Sequence, residues 1–212
     1  MSQTLSCDRR PVFYFIGDSI TEYGSDPERW VLEHGMPIYA KELQSQYSAS
    51  FVTVFLGAND AALEHGNSHE QYVSLEDYRA NLQKILRTVQ PLLAPQGQVL
   101  LITPPCIIDS VRHNDRSNAS SAKYAKVCVE LAAAENVHVL DLHTYFNKTF
   151  PDEEVRKTFF VDGLHFSEKG NKEVGKLLII TINSMFSEEE LNRFNKWQLP
   201  DWHQFVPHEE EA

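Results

Sequence analysis

The sequence predicts an α/β fold in which helices cover both faces of a parallel sheet. Four short apolar runs have the character of strands, and helix-length segments separate them: VFYFI (12–16), SFVTVFL (50–56), QVLLIT (98–103) and VHVLDL (137–142). Strands that are apolar throughout, with long connections between them, are typical of parallel sheets buried on both faces. In such sheets ligands bind beyond the carboxyl ends of the strands, so the residues that follow each strand are the first candidates for chemistry.

The helices follow from the spacing of apolar residues and from their capping residues. The first is expected over 75–93, where apolar residues recur at i, i+3 and i+4. Ser74 before it has the pattern of a capping box, with an aspartate three positions later. A second helix is expected over about 116–135, and a third over about 168–185 behind Ser167 as its N-cap.

Length and composition indicate one globular domain. With 212 residues and a mass of 24.3 kDa, the chain is long enough for a single full core. We assign 1–212 to one domain, with its core over 11–186 and a polar C-terminal extension over 187–212 that carries spaced aromatic residues. The net charge of −11 would repel a phosphate backbone, which argues against a nucleic-acid partner. The apolar runs are too short to cross a bilayer, so no membrane insertion is expected.

The first residues and the cysteines predict a cytoplasmic protein. The first apolar run is about five residues long, shorter than the core of a secretory signal, and has no small-residue cleavage site. The chain has an odd number of cysteines, Cys7, Cys106 and Cys128, and they are widely spaced. This pattern fits reduced thiols better than disulfides or a zinc site. The sequence has no phosphate-binding glycine-rich loop, paired-histidine metal motif or EF-hand pattern, so we expect no metal ion and no organic cofactor.

Three polar motifs fall where the sheet would place an active site. The motif GDS (17–19) follows the first strand, GAND (57–60) follows the second, and DGLH (162–165) precedes the last helix. Each motif alone has an ordinary structural interpretation, as a turn with an N-cap, an Asx-turn or a surface pair.

Together the motifs supply the parts that ester hydrolysis needs. The reaction takes a hydroxyl nucleophile, an imidazole that accepts and returns its proton, a carboxylate that orients the imidazole, and donors for the oxyanion. Ser19, His165 and Asp162 fit the first three roles. Asn59 and the backbone N–H of Ser19 fit the fourth, because that N–H belongs to a strand-to-helix transition where free amides face a developing negative charge.

The motifs FIGDSIT, VFLGANDAAL and VDGLHFSEKGN resemble the three blocks of the GDSL, or SGNH, hydrolases. The chain is also similar to the isoamyl acetate-hydrolysing esterase subgroup in the segments LEDYRANLQKIL, VLLITPPCI, VHVLDL and LPDWH. The resemblance therefore extends over most of 12–203. It implies a three-layer α/β/α sandwich of the SGNH type and metal-independent hydrolysis of small carboxylic esters. It also implies that Ser19 is the nucleophile, Asn59 the oxyanion amide, His165 the base and Asp162 the residue that orients the base.

The chain departs from the family between its first two motifs. Family members have there a helix, a strand and a turn that carries an oxyanion glycine, whereas here GSDPE runs directly into RWVLEHGMPIYAKEL. Gly24 and Gly35 do not match that glycine. We therefore expect a fold short of one edge strand and one helix. The first strand would then be an exposed edge, which invites pairing between chains, for example as a homodimer.

Two functions follow from these patterns. The first is a serine esterase that takes a small-molecule ester of the short-chain, acetate type and forms an acyl-enzyme on Ser19. The second is a catalytically weakened or inactive SGNH-fold remnant that acts as a binding protein, or a truncated isoform, and the missing glycine block favours it. Labelling with a fluorophosphonate, with Ser19→Ala as the control, distinguishes the two.

Overall fold

The computed structural model describes residues 10–18 and 47–196. Within this part of the chain there are four strands, β1 (Arg10–Gly17), β2 (Tyr47–Phe55), β3 (Leu93–Ile102) and β4 (His138–Leu140). They form one parallel sheet in the order β1-β2-β3-β4. The parallel sheet predicted from the apolar runs is confirmed. β3 begins earlier than predicted, because Leu93 already pairs with Ala49 ahead of a shift in register.

The helices of the described residues lie between and after these strands. They are α1 (Leu75–Val89), α2 (Asp109–Arg112), α3 (Asn118–Ala134), α4 (Leu142–Thr149), α5 (Glu153–Lys157), α6 (Glu168–Met185) and α7 (Glu188–Phe194). Short 3-10 turns occur at His69–Gln71 and Gln90–Leu92. None of the described helices is both long and apolar enough to span a membrane.

Side chains of the strands alternate between two cores on opposite faces of the sheet. Val52 and Val54 of β2 pack with α1 and α3 on one face. Phe51 and Phe55 of the same strand pack with α4, α6 and phenylalanines of the segment before α6 on the other face. This alternation follows from the period of two along a strand. The predicted three-layer α/β/α arrangement is therefore confirmed.

Two predictions concern parts of the chain that are described only partly or not at all. The expected loss of one strand and one helix falls within 19–46, which lies outside the described residues. The C-terminal extension begins with α7, and Phe194 at its end packs edge-to-face against Phe13 of β1, with ring centroids 5.1 Å apart. Residues 197–212 of that extension lie outside the described residues.

Candidate active site

The carboxyl ends of β1 and β2 lie side by side, because Gly17 is aligned with Phe55 in the parallel register. Gly17 and Asp18 of the first motif therefore leave the sheet at the same edge as the GAND motif. Asp18 is buried at this edge, with 8% of its surface exposed. Ser19, the expected nucleophile, lies outside the described residues. The structure thus fixes the chain immediately before Ser19, beside the loop that carries Asn59.

The loop after β2 turns at Gly57, whose φ is +113°. This conformation favours glycine, and a Cβ here would also lie 2.6 Å from the hydroxyl oxygen of Tyr78. That hydroxyl donates a hydrogen bond of 3.0 Å to the carbonyl of Leu56. The next turn closes where the N–H of Ala62 donates to the carbonyl of Asn59 over 2.9 Å. The glycine thus allows the tight turn that brings Asn59, half-buried, just beyond the strand.

Asp162 and His165 form a hydrogen-bonded pair in a single loop before α6. Nδ1 of the His165 ring lies 2.9 Å from Oδ2 of Asp162. The other carboxylate oxygen, Oδ1, accepts hydrogen bonds from the backbone N–H groups of Leu164 (3.0 Å) and His165 (2.8 Å). Gly163 makes the turn possible with a φ of +83°, and the N–H of Val161 closes the loop on the carbonyl of His165. One loop therefore carries both the imidazole and the carboxylate that orients it.

These hydrogen bonds determine the charge of the acid and the tautomer of the base. Partial burial by itself raises the pKa of Asp162. The hydrogen bonds from His165 and Leu164 and the charge of Arg112 outweigh that effect and lower this pKa to about 2. An ionised carboxylate only accepts hydrogen bonds, so in the neutral ring of His165 the proton is on Nδ1 and the lone pair is on Nε2.

Arg112 approaches Asp162 from the side of α2. Its Nε donates a hydrogen bond of 2.8 Å to the carbonyl oxygen of Asp162, and Nη2 donates to Oδ2 of the same residue. Nη1 of Arg112 also lies 3.3 Å from Oδ2 of Asp115. The guanidinium therefore holds both the backbone and the side chain of Asp162.

Arg116 holds the loop after β2 in a similar way. Its Nε donates to the carbonyl of Ala58 over 3.0 Å, and Nη2 donates to Oδ1 of Asn59 over 3.2 Å. Nη1 forms an ion pair of 2.6 Å with Asp115, whose Oδ2 also binds Arg112. Burial lowers the pKa of Arg116, and the carboxylates of Asp115 and Asp18 oppose that effect. A chain of polar contacts thus connects Asn59, through the two arginines, to Asp162.

A small apolar cluster packs the same two loops together. Its members are Ala58, Ile107 and Leu164, each at most 3% exposed. Ala58 precedes Asn59 and Leu164 precedes His165. The structure therefore brings three of the four predicted site residues, Asn59, Asp162 and His165, to one region. The fourth, Ser19, lies outside the described residues.

Arg112, Asp115 and Arg116 were not predicted from the sequence. The segment VRHNDR that contains them has the composition of an exposed polar loop. One signal could have drawn attention to it, namely its position after the third strand, where parallel sheets bind their ligands.

Among residues 10–18 and 47–196, no group of three or more histidine, cysteine, aspartate or glutamate side chains is placed to hold a metal ion. The clusters of ionisable groups described above are instead pairs of arginine with aspartate, and of histidine with aspartate.

Known proteins that are similar to this chain in sequence include several named esterases. The family model described as "GDSL-like Lipase/Acylhydrolase family" matches residues 32–173. The isoamyl acetate-hydrolyzing esterase 1 homolog of Bos taurus is 30% identical over 197 residues, which cover 76% of this chain and 77% of the bovine protein. The human homolog is 36% identical over 131 residues, which cover 57% of this chain and 50% of the human protein. A GDSL esterase/lipase of Arabidopsis thaliana is 32% identical and is covered over 83% of its length.

Solved structures agree with the architecture. A lipase/acylhydrolase from Enterococcus faecalis superimposes with a TM-score of 0.59 at 25% identity, covering 84% of this chain and 97% of that protein. The acetylxylan esterase Axe2 of Geobacillus stearothermophilus also has a TM-score of 0.59, at 18% identity, and covers 84% of this chain and 95% of its own. The second similarity concerns the fold alone.

Proposed function

The chain belongs to the GDSL-like lipase/acylhydrolase family, and from this premise we propose that it is a serine esterase that cleaves short-chain carboxylic esters through an acyl-enzyme on Ser19. In this proposal Ser19 is the nucleophile, His165 the general base and Asp162 the residue that orients the base. Asn59 and the backbone N–H of Ser19 are the oxyanion donors.

The reaction proceeds in two halves. Nε2 of His165 takes the proton of the Ser19 hydroxyl as its oxygen attacks the ester carbonyl, and the charge on that carbonyl is stabilised by Asn59 and the N–H of Ser19. The same imidazole then gives the proton to the departing alcohol, which leaves an acyl group on Ser19. A water molecule, deprotonated by His165, then attacks the acyl group, and the imidazolium returns that proton to the oxygen of Ser19 as the acid leaves.

The observation that carries the proposal is the hydrogen bond of 2.9 Å between Nδ1 of His165 and Asp162. A base in this role needs its second ring nitrogen available to the nucleophile and a carboxylate that stabilises the imidazolium once it forms. Asp162 meets the second condition because its lowered pKa keeps it ionised at neutral pH. The two backbone N–H groups on Oδ1 support the orientation of that carboxylate.

The proposed substrates are small acetate-type esters. Relatives named isoamyl acetate-hydrolyzing esterase homologs, at 30% to 36% identity, support this choice. We also propose that the protein acts in the cytoplasm, which the odd number of cysteines in the sequence supports. The homodimer stays a prediction.

Hydrolysis of p-nitrophenyl acetate tests the proposal. Ser19→Ala is expected to abolish turnover and to leave the circular-dichroism spectrum unchanged. Ser184→Ala is the matched control, because Ser184 is exposed on α6 and donates only to the carbonyl of Thr181. Equal turnover in Ser19→Ala and the parent would eliminate Ser19 as the nucleophile.

A weakened or inactive binding protein is the second candidate, and the sequence between the first two motifs favours it, because no counterpart of the family's glycine block is recognised there. If the chain is inactive, the parent would neither hydrolyse p-nitrophenyl esters nor react with a fluorophosphonate. Turnover that is lost in Ser19→Ala would exclude the inactive form of this second function.

A further inference from the structure

Among the described residues near the proposed site, Arg116 is the most buried charged residue, with 3% of its surface exposed. Each of its three guanidinium nitrogens donates at least one hydrogen bond. The acceptors are the carbonyl of Ala58, a carboxylate oxygen of Asp115, and the side-chain oxygens of Asn59 and Gln71. Burying a charge is costly unless it is paired and hydrogen-bonded, and these contacts meet both requirements.

The contact with Asn59 determines which end of the amide faces the arginine. A guanidinium has five N–H donors and no acceptor, so only the oxygen of an amide can approach it favourably. In the structure Oδ1 of Asn59 lies 3.2 Å from Nη2 of Arg116. The Nδ2 amino group must then point away from the arginine, and rotating the amide by half a turn would bring two donors together.

The same arginine also fixes the backbone beside this amide. Nε of Arg116 donates to the carbonyl of Ala58, the residue before Asn59, over 3.0 Å. Two bonds from one rigid, planar group therefore restrain both the peptide and the side chain of the GAND loop. A hydrogen bond from a charged donor also polarises the amide, which makes its N–H groups stronger donors on the other side.

We propose that Arg116 is a positioning residue for the oxyanion site, which orients Asn59 so that its Nδ2 amino group, and not its oxygen, is presented to the ester. The inference rests on the proposed function, because it requires Asn59 to be the oxyanion donor. Arg116 itself touches no reacting atom. Asp115 completes the arrangement by balancing the buried charge through the ion pair of 2.6 Å.

A double-mutant cycle between Arg116 and Asn59 tests the proposal with p-nitrophenyl acetate. Asn59→Ala is expected to lower kcat by about 10²–10³-fold, as loss of one oxyanion donor does elsewhere. Arg116→Lys keeps the charge but not the planar fork, and we expect kcat to fall about 10- to 100-fold with KM unchanged, since the amide is no longer held. In the double variant the loss should equal that of Asn59→Ala alone, because a misoriented donor and a missing donor are equivalent.

A second substitution and a matched control guard against effects on folding. Arg116→Gln removes the buried charge, and its loss of kcat should likewise disappear in the Asn59→Ala background. Arg156→Lys is the control, because Arg156 is also buried (7% exposed) and also donates to backbone carbonyls, those of Phe150 and Pro151. It should lower the thermal unfolding midpoint as Arg116→Lys does, while kcat stays within about twofold of the parent.

The outcomes separate this proposal from the one on which it rests. No turnover in the parent overturns both. Turnover in the parent that Asn59→Ala does not lower overturns the oxyanion role and, with it, the role of Arg116. If Asn59→Ala lowers turnover, and if the losses from Asn59→Ala and from either Arg116 variant multiply in the double variant, only the positioning role of Arg116 is overturned. An Arg116 variant that folds and keeps the kcat of the parent does the same.

Discussion

Asp162 accepts hydrogen bonds at both oxygens, from two backbone N–H groups at Oδ1 and from His165 and Arg112 at Oδ2. These contacts keep its pKa at about 2, so the carboxylate stays charged at every pH at which an imidazole ordinarily loses its proton. In the proposed mechanism Asp162 is therefore a constant negative charge beside His165. The proton of the Ser19 hydroxyl is therefore accepted by the histidine and not by the acid.

Substitution at the two members of this pair is expected to have unequal effects. His165→Ala should lower kcat about as much as Ser19→Ala does, because triad members act as a unit. Asp162→Asn should cost less, about 10⁴-fold, because it keeps an acceptor for the backbone N–H groups but stabilises the wrong tautomer of the ring. Steady-state kinetics with p-nitrophenyl acetate gives both values. His138→Ala, at an exposed position on β4, is the control, and a His165→Ala enzyme as active as the parent would refute the assignment.

One effect of pH follows from the same contacts. For stability, the folded pKa of Asp162 is about 2, below its ordinary value of 3.8. The contribution of Asp162 is therefore complete above about pH 4 and is lost as pH falls towards 2. Urea unfolding should show that stability falls less steeply over this interval in Asp162→Asn. Parallel stability curves for the parent and Asp162→Asn would contradict this expectation.

Helix α6 packs against the chain that leads to the loop with Asp162 and His165. Ser167, its N-cap, accepts from the N–H of Gly170 and donates its own hydroxyl to the carbonyl of Thr158. The backbone N–H of Ser167 donates to Phe159 over 2.9 Å, so the first turn of the helix lies directly against the segment that leads to Asp162. The position of His165 therefore depends on close contact between this helix and the chain before it.

Two glycines in α6 test that contact with a built-in control. A Cβ at Gly170 would lie 2.1 Å from the carbonyl oxygen of Phe159, whereas a Cβ at Gly175 would meet nothing within 4 Å. Gly175→Ala should stabilise the protein by about 0.5–1 kcal/mol, the ordinary gain for alanine in a helix. Gly170→Ala should instead destabilise it by about 1–3 kcal/mol, because the backbone has to move. Urea unfolding measures the free energy of unfolding of both variants. Equal stabilisation at the two positions would show that α6 is not in close contact with Phe159.

The helices were predictable from the sequence where apolar spacing and caps coincide. The predicted third helix matches α6 at both ends, and Ser74 and Ser167 are N-caps as expected. The first helix was predicted to reach 93 but α1 ends at Val89, because Pro91 has no N–H for a helical bond and the chain continues as a 3-10 turn. Apolar spacing alone does not reveal where the helix ends, because Leu92 and Leu93 continue the helical pattern.

The whole fold also determines how the thiols react. Cys106 and Cys128 are 0% and 1% exposed, and burial raises the pKa of each to about 12. In a Cys7→Ser variant at pH 8, a thiol reagent such as DTNB should therefore not react until the protein unfolds, when two thiols should react together. Titration with increasing urea measures this release. Rapid reaction of either thiol without urea would contradict the burial of these thiols in the two cores.

The fold and the site differ in how far the sequence could predict them. Continuous apolar strands and helical spacing are local patterns, and they led to the parallel sheet and its two helical layers. The loop with Asp162 and His165 is also local, since three residues separate the pair. Arg112 and Arg116 could not be identified, because their partners Asp162 and Asn59 lie 50 and 57 positions away in the chain. Only the folded sheet brings these charges together.

Mass spectrometry after reaction with a fluorophosphonate tests the proposed serine mechanism most directly. The parent should gain the mass of one phosphonyl group, and peptide mapping should locate it on Ser19. His165→Ala should react far more slowly, because the hydroxyl then lacks its base, while unfolding midpoints show that the variant is folded. One adduct on Ser19 that depends on His165 is the result we predict. Hydrolysis of p-nitrophenyl acetate by a parent that forms no adduct, or forms it on another residue, would contradict the mechanism.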